Sequence, residues 1–152
     1  VRGRLAMSYA NLFTGSAAGN AAEPAHVGQR YRLLLVDDEP NVINALKRIF
    51  RQENYEILTA SCGEHALSLL EQQPVHVVIS DFKMPGMDGL SFIRRARMSI
   101  ALQKTPIILI TGQKSPEIKA EAMRCGASHF MTKPIDVPVM AKLIMKSVGL
   151  EK

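Results

Sequence analysis

The chain has 152 residues, 47% hydrophobic and 22% charged, which is enough apolar material for one ordinary globular core and argues against a disordered or fibrous protein. The formal charge is +5, but four arginines against one glutamate in the first 32 residues supply +3 of it; the remainder lacks the one-faced basic cluster that direct nucleic-acid binding requires. No run approaches the 18 apolar residues of a membrane span, the opening VRGRLAMSYANL has no secretory h-region, and Cys62 and Cys125 lack CxxC or histidine partners, so a cytoplasmic protein with two reduced structural thiols is expected.

Residues 1–29, rich in Ala, Gly, Ser and Asn, show no sustained period and read as a flexible leader, within which Met7 is a candidate natural start. From Arg30 to Gly149 short aliphatic runs alternate with helix-period segments. RLLLV (32–36) is the first strand, followed from Pro40 by a helix whose stripe is Val42, Ala45, Leu46, Ile49 and Phe50. YEILTA (55–60) and a helix over 63–70, stopped before Pro74, come next. HVVIS (76–80) precedes the loop MPGMDG, where Pro85 and Gly86 make a turn and Gly89 relaxes the chain entering a helix over 90–98. Arg94, Arg95 and Arg97 on that helix read as a solvated face. PIILIT (106–111), a helix over 116–124 ending at Gly126, SHFMT (128–132), and a helix over 137–148 with the core stripe Met140, Ile144 and Val148 complete the series. His26, His65, His76 and His129 have no ligand-like spacing.

Five strands and five helices in strict alternation predict an α/β, doubly wound, flavodoxin-like three-layer sandwich. With right-handed crossovers and a central first strand the parallel order is 2-1-3-4-5, and functional groups gather at the carboxyl ends of the strands. There the sequence supplies Asp37, Asp38 and Glu39 after strand 1, Asp81 after strand 3, Thr111 on strand 4 and Lys133 after strand 5. Like charges about 4 Å apart cost on the order of 4 kcal/mol per pair at an effective dielectric near 20, so these acids need a cation. Oxygen donors without histidine or cysteine favour Mg²⁺. Capping of the following helix would need one acid and accounts for only about 0.3 to 1 kcal/mol. A carboxylate so placed can attack a phosphoryl group, with Lys133 supplying positive charge and Thr111 a hydrogen bond.

The motifs VDDEP (36–40), SDFKMPGMDGL (80–90), LITG (109–112) and FMTKPID (130–136) together resemble the receiver domains of two-component response regulators, CheY-like proteins, over Arg32 to about Val148. The resemblance implies a phosphoprotein of phosphorelay signal transduction, with Asp81 phosphorylated by a partner histidine kinase or phosphotransfer protein to an aspartyl phosphate. It implies Mg²⁺ bound by Asp38 and Asp81 directly, by Asp37 through water and by the main-chain carbonyl of Lys83. Thr111 and Lys133 would hold the phosphoryl group, with the Lys133–Pro134 peptide cis. Thr111 and Phe130 would form the switch, read through packing because Phe130 lacks a tyrosine hydroxyl. Lys83 and Gln113 would influence phosphoryl lifetime. The fourth helix, fifth strand and fifth helix would present the output face to a downstream target, to an output domain in a longer regulator or hybrid kinase, or to a second copy in a homodimer. Such a domain is a self-modifying switch with autophosphatase activity and not a turnover enzyme.

Two rivals are distinguishable. A haloacid-dehalogenase-type phosphatase carries DxD on strand 1, whereas here the acids are adjacent and the acceptor follows strand 3. A docking-only receiver typically loses an acid or the lysine, and all are present.

Overall fold

The computed structural model describes residues 30–51 and 55–149; the leader expected over 1–29 lies outside them. The elements are β1 (Tyr31–Val36), α1 (Pro40–Arg51), β2 (Tyr55–Ala60), α2 (Gly63–Gln72), β3 (Val77–Asp81), α3 (Gly89–Arg97), a 3₁₀ turn (Ile100–Leu102), β4 (Ile107–Thr111), α4 (Pro116–Cys125), β5 (His129–Thr132) and α5 (Val137–Ser147). All strand pairs are parallel and the order is β2-β1-β3-β4-β5, as expected. The sheet reverses its winding at β1, so a crevice opens between the carboxyl ends of β1 and β3.

Period-two alternation divides the aliphatic strands between two cores. Leu33, Leu35, Val77, Ile79, Ile108 and Ile110 face α1 and α5. Leu34, Val36, Val78, Ile107 and Leu109 face α2, α3 and α4. Burial on both faces explains why these runs are almost wholly apolar. Phe50 and Tyr55 meet edge to face at 5.8 Å and close the first core at the end of α1.

Caps fix the helices. Asp88, Ser115 and Asp136 accept N–H bonds from Ser91, Ile118 and Val139, and Gly126 ends α4 at φ +114°, a conformation that favours glycine. Gly86 takes φ +78° in the turn after Pro85.

Three expectations are corrected. Ala45 is exposed on α1, and the half-buried Ile43 packs on the core instead. Val42, Ile43, Leu46, Ile49 and Phe50 describe the face that meets the sheet. Arg97 is not part of a solvated face: its guanidinium donates to the carbonyl of Gly126 at 2.8 and 3.0 Å and to that of Leu102, tying α3 to the end of α4. Arg94 and Arg95 are exposed, and Arg94 pairs with Glu121 at 2.8 Å. Gly89 has no positive φ; its role is room. A Cβ there would come 2.6 Å from Leu109 Cδ1, 2.7 Å from the carbonyl oxygen of Asp81 and 2.9 Å from Phe82 Cα.

Cys62 and Cys125 are free and half-buried. No helix among the described residues is long and apolar enough to cross a membrane.

Candidate phosphoacceptor site

The site is built where β1, β3, β4 and β5 run out of sheet. Asp37 follows β1 directly; its N–H bonds Ala60 O at 3.1 Å, and its Oδ1 accepts the Glu39 N–H at 2.9 Å. That short turn bends the chain into α1, where Glu39 O accepts the N–H groups of Val42 and Ile43. Asp81 ends β3, paired with Ile110, and the next residue is held from both sides: Phe82 N–H donates to Ile110 O and Phe82 O accepts from Gly89 N–H, both at 2.7 Å. Thr111, 2% exposed, accepts the Gln113 N–H on its Oγ1 at 3.1 Å. Lys133 continues β5, its N–H bonded to Thr111 O at 2.8 Å, and the following Lys133–Pro134 peptide is cis.

These elements converge on one open cleft of about 730 Å³, lined by Asp38, Glu39, Asp81, Lys83, Thr111 and Lys133 among others. Lys133 Nζ stands 3.1 Å from Asp81 Oδ1, 3.8 Å from Asp37 Oδ2 and 3.9 Å from Glu39 Oε1. Oxygens of Asp37, Asp38 and Asp81 all lie within 4.8 Å of one another; Asp37 and Asp81 are buried and Asp38 is exposed. Burial is the main reason the carboxyl of Asp37 is pushed up to about 6, against the lowering effect of the Glu39 N–H, with the charge of Asp81 adding to the rise. Burial likewise raises Asp81, opposed by its bond to Lys133. For Lys133 burial acts to lower the ammonium, but the Asp81 bond and the charges of Asp81, Asp37 and Glu39 outweigh it and hold the group above its ordinary range. Burial thus moves both acids toward neutrality, and Lys133 is the cation that stands against both of them. The oxygen-only donor set fits a hard divalent cation.

Asp37, Asp38, Asp81, Lys83, Thr111 and Lys133 are therefore gathered at one edge. Lys83 lines the cleft with its side chain exposed. Phe130 is not among the cleft residues: it pairs with Leu109 on β4, is half-buried, and packs on the second core. Sequence reasoning gave Glu39 no role beyond its charge, and Gly89 the wrong one. No spacing rule signals either; only the packed geometry brings Glu39 toward Lys133 and Gly89 beneath Asp81.

Residues 33–145 match the family model described as the response regulator receiver domain. The chain belongs to that family. It is 30% identical over 127 residues to the probable chemotaxis protein CheY of Rhizobium etli, an alignment covering 83% of this chain and 98% of that one. It is 34% identical over 120 residues to the regulatory protein AtoC of Escherichia coli, covering 79% of this chain but only 26% of AtoC, so it spans about a quarter of that longer relative. Among solved structures, Vibrio cholerae CheY4 is 30% identical with a TM-score of 0.74, covering 78% of this chain and 99% of CheY4. A receiver domain of a Syntrophus aciditrophicus signal transduction histidine kinase is 30% identical with a TM-score of 0.73, covering 78% and 89%. Residues 33–145 thus form a receiver domain of the two-component type, and the relatives include both a near-full-length match and a much longer regulator.

Proposed function

We propose that Asp81 accepts a phosphoryl group from a histidine of a partner kinase or phosphotransfer protein, and that the receiver works as a Mg²⁺-dependent switch. The observation that carries this reading is the 3.1 Å contact between Lys133 Nζ and Asp81 Oδ1 inside a group of carboxylates whose oxygens lie within 4.8 Å of one another. Asp37, Asp38, Asp81 and the main-chain carbonyl of Lys83 are the groups that would hold the ion. When bound, Mg²⁺ neutralises the acids and the phosphoryl oxygens together.

In the transfer an oxygen of Asp81 gives a lone pair to phosphorus. The O–P bond forms as the P–N bond of the donor phosphohistidine breaks, and the imidazole leaves with the bonding pair. Lys133 takes the charge of the phosphoryl oxygens, and the Thr111 hydroxyl turns from the cleft wall to bond one of them. Later attack by water on phosphorus releases inorganic phosphate and restores the carboxylate, so the domain resets itself without turning over an external substrate. Movement of Thr111 toward the phosphoryl group changes packing along β4 and β5, where Phe130 lies two residues before Thr132, the ladder partner of Thr111. The face made by α4, β5 and α5 then presents the changed surface to a target protein, to an output domain of a longer regulator, or to a second copy. A cytoplasmic setting fits a partner kinase that delivers phosphate there.

The test is incubation with acetyl phosphate or beryllofluoride, with and without Mg²⁺, followed by intact mass and by fluorescence. Mg²⁺-dependent gain of one phosphoryl group, lost in Asp81→Ala while the fold is kept, is the expected result. Labelling that survives in Asp81→Ala at another residue overturns the site.

A further inference from the structure

Glu39 is the one acid of the cleft that the proposed ion and acceptor roles leave unused. Its backbone is fully committed: the N–H donates to Asp37 Oδ1 and the carbonyl accepts the N–H groups of Val42 and Ile43. Its side chain is 64% exposed and lines the cleft, with Oε1 3.9 Å from Lys133 Nζ. A contact that long with an exposed partner contributes little to stability, on the order of 0 to 1 kcal/mol. Lys133 is therefore cheaply released from Glu39. What Glu39 does impose is an exposed negative charge on the lining of the same open cleft that holds Asp81.

The geometry points to Glu39 as an electrostatic gate that sets which phosphodonors reach Asp81, by repelling small dianionic donors. This rests on Asp81 being the acceptor. A small donor such as acetyl phosphate arrives with its charge bare. Transfer from it would form the Asp81 O–P bond as the P–O bond to acetate breaks, with acetate leaving on the bonding pair. Phosphoramidate, which carries less negative charge, meets less resistance. A protein donor that sets a basic side chain of its own against Glu39 would offset that charge.

The experiment compares Glu39→Gln with wild type for Mg²⁺-dependent labelling by acetyl phosphate and by phosphoramidate, at low and high salt. Glu39→Gln keeps the backbone bonds and the side-chain shape, and Glu71→Gln, in the last turn of α2 at the opposite end of the sheet, controls for net charge. Because removing one charge at a focused entrance changes association by a modest factor, Glu39→Gln is expected to be labelled about three- to tenfold faster by acetyl phosphate at low salt. The gain should be smaller for phosphoramidate and shrink as the Debye length falls to about 3 Å near 1 M salt. Glu71→Gln should match wild type. An unchanged rate, a gain independent of salt and donor charge, or an equal gain in Glu71→Gln overturns the gate. Absence of labelling in both wild type and Glu39→Gln, or labelling of Glu39→Gln that survives the added Asp81→Ala change, would instead overturn the assignment of Asp81, so the two failures are separable.

Discussion

Lys133 reaches Asp81 from a different strand, and it does so under backbone control: the same residue whose ammonium stands 3.1 Å from Asp81 Oδ1 donates its N–H to Thr111 O at 2.8 Å. The lysine and the threonine are thus mounted on one ladder bond, so the two groups proposed to handle the phosphoryl oxygens are positioned together. Lys133→Met keeps the stem and the backbone bond but removes the charge. Loss of one preorganised charge-stabilising group typically costs about 10² to 10³ in rate, and a drop of that size in acetyl phosphate labelling is expected. Stabilisation by Mg²⁺ in a thermal melt should survive, since the acids remain. Lys133→Arg should not restore labelling, because a planar fork does not replace a compact ammonium. Near-normal labelling of Lys133→Met would remove lysine from the mechanism.

Asp37 and Asp81 are both buried and both face Lys133, one cation for two carboxylates. Without a divalent ion the pocket therefore carries excess negative charge at neutral pH. Asp37→Asn preserves the acceptor for the Glu39 N–H while removing that charge. At pH 7.5 in EDTA this variant should be more stable than wild type by about 1 to 3 kcal/mol in urea unfolding, the scale of a like-charge interaction in a partly screened site. Added Mg²⁺ should stabilise wild type and leave the variant nearly unmoved. A variant less stable than wild type in EDTA would mean that Asp37 serves the fold through its charge.

Much of this was legible in the sequence because strand ends in a parallel sheet are fixed by topology. Once the runs around Leu34, Val78, Leu109 and Met131 are placed as parallel neighbours, Asp37, Asp81, Thr111 and Lys133 must share one edge. The parts that were not legible depend on which of two equivalent choices packing makes. Ala45 and Ile43 both fit a helical stripe, and only the angle at which α1 lies on the sheet selects Ile43. Arg97 looks like its neighbours Arg94 and Arg95 because nothing local reveals that the carbonyls of Gly126 and Leu102 lie within its reach. Arg97→Met should accordingly cost about 1 to 3 kcal/mol by leaving those carbonyls short of a charged donor, whereas Arg95→Met should be near neutral in the same urea titration.

His76 predicts a pH dependence outside the cleft. Its Nδ1 accepts the Arg32 N–H at 2.9 Å, and its ring packs edge to face on Tyr31 at 5.1 Å, joining the starts of β1 and β3. Burial first, and the positive charge of Arg32 second, lower its affinity for a proton below the ordinary histidine value of 6.5. A group whose native pKa lies below its unfolded pKa contributes stability that is present above 6.5 and is lost as pH falls through the native value. Protonation at Nδ1 also removes the acceptor that Arg32 N–H uses. Wild type should therefore lose more stability than His76→Gln between pH 7.5 and 5. Comparing the two proteins cancels the opposite contributions of Asp37 and Asp81, whose raised values favour the native state as pH falls. Parallel pH profiles for the two proteins would refute the role of Nδ1.

Gly89 and Gly63 separate backbone crowding from side-chain crowding. A Cβ at Gly89 would lie 2.7 Å from the carbonyl oxygen of Asp81 and 2.9 Å from Phe82 Cα, atoms fixed by the ladder, so β3 or α3 must move. The three atoms nearest to a Cβ at Gly63 all belong to the side chain of Met87, its sulfur at 2.8 Å, and a methionine can change rotamer. Overpacking against rigid neighbours typically costs about 1 to 3 kcal/mol, so Gly89→Ala should fall in that range in urea unfolding while Gly63→Ala stays below it. The displaced main chain at Gly89 is that of the acceptor itself, so Gly89→Ala should also slow labelling by acetyl phosphate under conditions where both variants are fully folded, and Gly63→Ala should not. Equal stability losses for the two, or normal labelling of a folded Gly89→Ala, would show that the space beneath Asp81 can yield without moving its carboxylate.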